Sequence, residues 1–299
     1  MTSLALPKGS SLEQRTLDLF AAAGLGLRRA SSRTYRASIE YRGAIQVAFY
    51  KPREIPMVVQ RGYFDFGLTG ADWIEETGAK VEKVTAFSYS KIHDTPWRLV
   101  LAVPEEHKAR RAYDLGDGLR VATEYPNIGR ACFQALGLRA EMIPSYGATE
   151  AKIPELADAV IDVVETGTAL RHNGLRVVET LRTCTPQLIA NPEAFRDTDK
   201  RATIQGVARL LDAVHAGASR VLLTVRVGAR HLDEVLRLMP EQSWHAGTGV
   251  PDASLVVLQG VTARDGIAET VDRLMAAGAV DVMESDVTRL VSARGSQPA

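Results

Sequence analysis

Cysteine is nearly absent from this sequence. Cys132 and Cys184 are the two present, far apart and outside any metal-spaced cluster. That excludes a disulfide scaffold and fits a reducing compartment. Excess charge of either sign is also missing: Lys and Arg total 36, and Asp and Glu total 36. No global field therefore draws the chain to nucleic acid or to a membrane surface, although a local basic pocket stays open. No apolar run approaches the ~18–20 residues that span a bilayer, and no basic segment leads into an apolar core at the N-terminus. The expected localisation is cytoplasmic, with neither nucleic acid nor membrane as partner. His107, His172, His215 and His231 lack metal-ligand spacing and read as surface or packing residues. Short-period repeats and low-complexity tracts are absent as well.

What is present is a globular composition, 45% apolar and 24% charged over 299 residues, enough for two or three domains. Apolar β-rich runs alternate with amphipathic stretches, which predicts α/β layers. Strands are expected at "SLALP", "IQVAFYKP", "FDFGLTG", "WRLVLAVP" and "LRVATEYP". Helices are expected at "LEQRTLDLFAAAG", "EIPMVVQRG", "ADWIEETG", "NIGRACFQALG" and "TALRHNGL". Ser10 with Glu13 suggests a capping box, and Gly24 a helix stop. "NPEAFRDTDK" reads as an interdomain linker. From about Asp199 a long amphipathic helix leads into two strand–helix–strand halves, the pattern of a ferredoxin-like module.

The segment "LADAVIDVVETGTAL" (Leu156–Leu170) carries the most chemistry. Asp158 and Asp162 interrupt an apolar run, and their spacing of four puts both on one face, whether of a strand or of a helix. Ionised acids among apolar side chains need partners or a cleft. Thr166-Gly167-Thr168 then opens a helix, where backbone N–H groups can cradle a phosphate and glycine permits close approach. Acids for sugar hydroxyls followed by a phosphate cradle suit a ribose 5-phosphate; a core strand with a threonine cap is the other reading. Similar turns occur at "LPKGSS" (Lys8), "GLTGAD" (Thr69, Gly70) and "TEYPN" (Glu124, Tyr125). Since ligands gather at the carboxyl ends of strands in open α/β sheets, these turns suggest a cleft between two lobes.

Taken together, "LALPKGSSL" (Leu4–Leu12), "KPREIPMVVQRGYFDFGLTGAD" (Lys51–Asp72), "RVATEYPN" (Arg120–Asn127) and "LADAVIDVVETGTALRHNGL" (Leu156–Leu175) resemble the ATP phosphoribosyltransferases of histidine biosynthesis. The resemblance extends along nearly the whole chain, and the C-terminal module resembles the long form of the family. It implies a two-lobed catalytic region similar to type II periplasmic binding proteins, plus a C-terminal ferredoxin-like (ACT-like) regulatory domain. Lobe I would be residues 1–93 with a return segment at 178–198, lobe II 94–177, and the regulatory domain 203–299. The implied ligands are ATP, 5-phosphoribosyl 1-pyrophosphate and Mg²⁺, with L-histidine as effector and a homo-oligomer, dimer to hexamer, as the assembly.

A ring-nitrogen nucleophile needs no reactive serine or cysteine, so catalysis is expected to rest on positioning and charge stabilisation. Lys8, Arg33, Lys51 and Arg53 are the candidate cations for the leaving group and triphosphate. Glu150, Asp158, Asp162, Thr166, Gly167 and Thr168 are expected to hold the phosphoribosyl group. Asp65, Thr69, Gly70, Glu124 and Tyr125 are expected to hold ATP, and Ser243 and Thr248 the effector. Many relatives have arginine where this chain has Lys51, which keeps the charge but loses the planar fork. "SWHAGTG" (Ser243–Gly249) stands near where the family often has Ser-Pro-Thr. Two other readings share the fold: a two-lobed small-anion-binding protein, and a catalytically impaired regulatory paralogue.

Overall fold

Short aliphatic and β-branched runs closed by glycine, proline or a hydroxyl residue form the strands, and amphipathic stretches between them form the helices. The computed structural model describes residues 1–9, 12–31, 33–87, 96–239, 244–245 and 255–291. In chain order these form β1 (Thr2–Pro7), α1 (Leu12–Ala22), β2 (Arg36–Glu40), β3 (Ala44–Tyr50), α2 (Ile55–Gln60), β4 (Phe66–Gly70), α3 (Ala71–Thr77) and β5 (Glu82–Ala86). Next come β6 (Trp97–Pro104), β7 (Leu119–Thr123), α4 (Pro126–Ala135), β8 (Ala140–Pro144), β9 (Ala159–Val164), α5 (Thr168–His172), β10 (Leu175–Cys184) and β11 (Pro186–Ala190). The chain continues through α6 (Pro192–Arg196), α7 (Thr198–Ala218), β12 (Arg220–Gly228), α8 (Leu232–Leu238), β13 (Trp244–His245), β14 (Leu255–Ala263), α9 (Ile267–Ala276) and β15 (Ala279–Asp286). None of these helices is long and apolar enough to cross a membrane.

The chain divides into two compact units, Met1–Asp18 with Leu25–Ala208, and Leu19–Gly24 with Arg209–Ala299. The first unit holds two sheets, and so two lobes. One sheet has the order β2-β3-β1-β4-β11-β5, with β1 parallel to both β3 and β4. The other has the order β10-β6-β9-β7-β8, with β7 parallel to β8 and β9. Ala5, Ala48, Ile55, Val59, Phe64, Ile74 and Ile189 pack as a core of the first lobe. In the second lobe, Leu99, Leu101, Val121, Ile128, Phe133 and Ile161 pack on one face of the sheet, and Val100, Ala122, Val160, Val164 and Leu170 on the other. This double burial explains why its strands read as continuous apolar runs.

The second unit contains an antiparallel sheet of order β13-β14-β12-β15. That is the ferredoxin-like order, with Leu223, Val225, Val227, Val235, Leu258 and Leu274 in its core.

Three boundaries differ from the sequence reading. The return to the first sheet starts at Pro186, because β10 stays in the second sheet as far as Cys184, paired antiparallel with β6. The expected linker at "NPEAFRDTDK" is helical. The Asn191 side chain accepts from the Glu193 and Ala194 amides and caps α6, and α7 follows directly. Residue 203 falls within α7, so no loop marks the boundary expected there.

Candidate active site

Strands β1, β3 and β4 run parallel, so the residues that follow them gather on one edge. Lys8 extends the ladder beyond β1, its amide donating to the Tyr50 carbonyl at 2.8 Å. The Lys8 ammonium lies 5.2 Å from the Tyr35 ring centroid and 3.2 Å from Glu13 Oε1. Beside it, the Arg29 guanidinium stacks on Phe49 at 4.4 Å. Lys51 and Arg53 are exposed in the turn after β3. Thr69 is fully buried and donates to the Pro52 carbonyl at 2.7 Å, which fixes that turn. Arg53 reaches toward the second lobe, 5.8 Å from the centroid of Tyr146. Arg33 is exposed in a turn of its own before β2.

Helix α3, starting at the Gly70 end of β4, joins the first lobe to the second. The Tyr125 hydroxyl donates to Asp72 Oδ2 at 2.8 Å, and the Tyr125 ring stacks on Trp73 at 4.3 Å. Arg182 grips Glu75 at 2.6–2.9 Å. Glu76 accepts the Asn127 and Ile128 amides at 3.0–3.1 Å, capping the N-terminus of α4. Burial pushes the Asp72 carboxyl above its ordinary range, against the Tyr125 hydroxyl, the Trp73 amide and the Trp97 indole, which lower it. Asp72 Oδ1 and Trp97 Nε1 are both buried without a completed hydrogen bond. Burial likewise raises the Glu76 carboxyl, against the Ile128 and Asn127 amides and Arg130.

In the second lobe, β7, β8 and β9 are parallel and deliver a matching edge. Asp162 lies within β9, half-buried, on the face shared with Val160 and Val164. After β9, Gly167 takes the left-handed conformation at φ +71 and caps α5. The Thr166 and Thr168 hydroxyls lie 3.0 Å apart, and Arg171 donates to the Thr166 carbonyl at 3.1 Å and to Thr168 Oγ1 at 3.2 Å. A cleft of about 280 Å³ opens here, lined by Thr166, Gly167, Leu170 and Arg171 together with Arg98 and Arg176. At the end of β8, Lys152 Nζ donates to the buried Ser145 hydroxyl at 2.5 Å, and Ser145 pairs with Thr149 at 2.9 Å. Glu150 sits half-buried in the same short turn, and Glu124 half-buried after β7.

Two expected site residues are placed at the wrong end of their strands. Asp158 shares the face of Asp162 but precedes β9, about 13 Å away along an extended chain. Both of its oxygens are held by Arg120, Oδ1 at 2.7 Å from Nη2 and Oδ2 at 2.9 Å from the amide. Asp65 precedes β4, opposite the Thr69–Gly70 end. It accepts from the Ser3 amide at 2.8 Å and from Lys200 Nζ at 2.7 Å. Even spacing fixes the face of a strand and not the end, which is why Asp158 looked like a site residue beside Asp162, whereas Asp65 was expected from the family resemblance. Tyr125, expected at ATP, is buried in the joint against Asp72 and Trp73. Ser10, Ser243 and Thr248 lie outside the described residues.

Sequence reasoning passed over Arg29, Arg98, Lys152 and Arg171. Arg171 carried a local signal, three residues after Thr168 on the next helix. Arg98 carried none, because its position opposite Val164 comes from long-range strand register.

The geometry defines a two-lobed α/β protein with hydroxyls and an acid on one lobe edge and cations on the other. The chain belongs to the ATP phosphoribosyltransferase family, whose profile matches residues 51–213. The enzyme is thus a phosphoribosyltransferase, in the glycosyltransferase class. It is 37% identical over 288 residues to the ATP phosphoribosyltransferase of Chlorobium luteolum, covering 96% of this chain and 97% of the relative. It is 35% identical over 288 residues to that of Pelotomaculum thermopropionicum, covering 96% and 98%. Among solved structures, the ATP phosphoribosyl transferase (HisG:HisZ) complex from Thermotoga maritima matches at a TM-score of 0.59 and 23% identity. That match covers 71% of this chain and 99% of that one, so this chain carries more than its neighbour.

Proposed function

We propose that the facing carboxyl edges of the first unit bind ATP and 5-phosphoribosyl 1-pyrophosphate for transfer of the phosphoribosyl group to N1 of adenine. The N1 lone pair forms the new bond to the anomeric carbon, the carbon–oxygen bond to pyrophosphate breaks, and its electrons leave with pyrophosphate. The observation that supports this most is the Thr166–Thr168 turn, with a left-handed glycine between paired hydroxyls and Asp162 on the strand that feeds it. Amides and hydroxyls of the turn would hold the 5-phosphate, and Asp162 would accept the ribose hydroxyls. Glu150 stands on the same edge for the sugar or metal. Across the cleft, Lys8, Lys51 and Arg53 would stabilise charge growing on the pyrophosphate, with Arg33 beside the triphosphate. Glu124 would stand at the edge for ATP, while Thr69 and Gly70 are buried, and Thr69 would act by fixing the turn that carries Lys51 and Arg53.

Among the described residues, no group of three acidic, histidine or cysteine side chains forms a metal cage. Mg²⁺ would be held chiefly by phosphate oxygens with one or two carboxylates, the usual mode for this ion, and Asp162 and Glu150 are the acids that would serve. When bound, Mg²⁺ would neutralise the departing pyrophosphate. The ferredoxin-like unit would carry L-histidine regulation and help assemble dimers into a hexamer. The test is transfer kinetics of Asp162→Asn with folding checked separately; wild-type kinetics in that variant would remove Asp162 from the site.

A further inference from the structure

At the end of β1 the backbone turns through Gly9, left-handed at φ +67, which aims its N–H away from the ladder. That N–H donates to Glu13 Oε2 at 2.9 Å. The other oxygen, Oε1, lies 3.2 Å from Lys8 Nζ and 3.7 Å from Arg29 Nη1. A Cβ built on Gly9 would meet Lys51 Nζ at 2.9 Å, so a further ammonium packs against the bare glycine. A backbone N–H and two cationic side chains, Lys8 and Arg29, thus gather around one carboxylate, with Lys51 against the neighbouring glycine, at a strand end where α/β sheets bind ligands. Its two oxygens span donors in the way two oxygens of a phosphate would.

We propose that Glu13 is an internal occupant of an anion seat, and that a phosphate oxygen of the ligand takes the seat by displacing this carboxylate. The proposal rests on the reading above that Lys8 and Lys51 contact pyrophosphate. It adds that binding is an exchange of one anion for another, so Glu13 weakens affinity for polyphosphate while keeping the cations in order. Without the carboxylate, the like charges of Lys8 and Arg29 would repel one another, with the Lys51 ammonium close by at Gly9. A carboxylate on the first turn of α1 relieves that repulsion until ligand arrives. A plain helix cap would need the Gly9 contact but no convergence of cations.

The test is calorimetric titration of inorganic pyrophosphate into the full chain, with thermal denaturation confirming that each variant folds. Glu13→Gln keeps an acceptor for the Gly9 N–H but removes the charge, and it should bind pyrophosphate about three- to tenfold more tightly, the scale of one partly solvated charge pair. Glu13→Ala provides the same reading should the glutamine variant fail to fold. Glu54→Gln is the control, since Glu54 is an acid of the same edge that accepts the Lys51 amide at 3.0 Å without touching Gly9. Its affinity should change less than that of Glu13→Gln. Equal tightening in both would reduce the effect to general charge and overturn the proposal. Unchanged or weaker binding in the Glu13 variants, or no binding in wild type and variants alike, would also overturn it. Lys8→Met scores the underlying reading separately: unchanged affinity there removes Lys8 from the pyrophosphate contact, whatever the Glu13 variants do.

Discussion

The Tyr125 hydroxyl donates to Asp72 Oδ2 at 2.8 Å in a site where both residues are buried, and this bond ties the first lobe to the second. Removing it by Tyr125→Phe leaves a buried carboxylate without its donor, which should destabilise the enzyme by about 1–3 kcal/mol. Denaturant unfolding measures this; a variant as stable as wild type would show that the joint is held by α3 packing alone.

Asp72 also sets a pH dependence. Burial raises its carboxyl, so the folded state holds the proton more tightly than the unfolded chain. Stability from this group is complete below the ordinary carboxylate range and is lost as pH rises through the raised value. Asp72→Asn keeps an acceptor for Tyr125 and removes the buried charge. Its melting temperature at pH 7 should equal or exceed that of wild type, with a flatter profile from the acid side to neutrality. A clear loss of stability at pH 7 would mean that the charge itself is needed in the joint.

Asp158 and Asp162 should separate cleanly. Asp158→Asn weakens a half-exposed ion pair with Arg120, for a loss of about 0.5–1 kcal/mol of stability and little change in transfer rate. Arg120 holds the Asp158 carboxyl low, so this contribution is present above the ordinary range and lost as pH falls through the lowered value. Asp162→Asn should keep the fold and lower transfer by roughly one to two decades, the scale of a lost charge-assisted hydrogen bond. Equal kinetic loss in both variants would contradict the placement of Asp158.

Gly167→Val should sharply reduce calorimetric affinity for 5-phosphoribosyl 1-pyrophosphate. A Cβ at Gly167 would lie 3.3 Å from Arg171 Nη1, and φ is +71, so some strain accompanies the block. Affinity should nevertheless fall more than thermal stability does. Unchanged affinity would make the turn a helix cap only.

L-Histidine should inhibit the full-length enzyme without competing with 5-phosphoribosyl 1-pyrophosphate, with a coupling of about 1–3 kcal/mol between the sites. Ser243→Ala and Thr248→Ala should weaken inhibition and spare basal rate. Direct competition between histidine and the ribosyl donor would refute an allosteric site.

Local signals read well because local physics set them. The Thr166–Thr168 turn, the Gly24 stop and the paired halves of the C-terminal sheet follow from glycine conformation and hydrophobic period. Strands β2 and β8 were passed over because they are short and partly exposed, and β5, β10 and β11 because they exist through partners distant in sequence. The same holds for the site: Arg98 beside Val164 and Arg29 over Phe49 depend on tertiary register. Asp158 misled for a related reason, since sequence distinguishes the two faces of a strand better than its two ends.

The most direct measurement follows the enzyme, ATP, 5-phosphoribosyl 1-pyrophosphate and Mg²⁺ by phosphorus NMR together with absorbance. The account predicts inorganic pyrophosphate from the ribosyl donor, an intact triphosphate on ATP, and an absorbance change from an adenine ring substituted at N1. Pyrophosphate released from ATP instead, or no reaction by folded protein that binds both ligands, would contradict it.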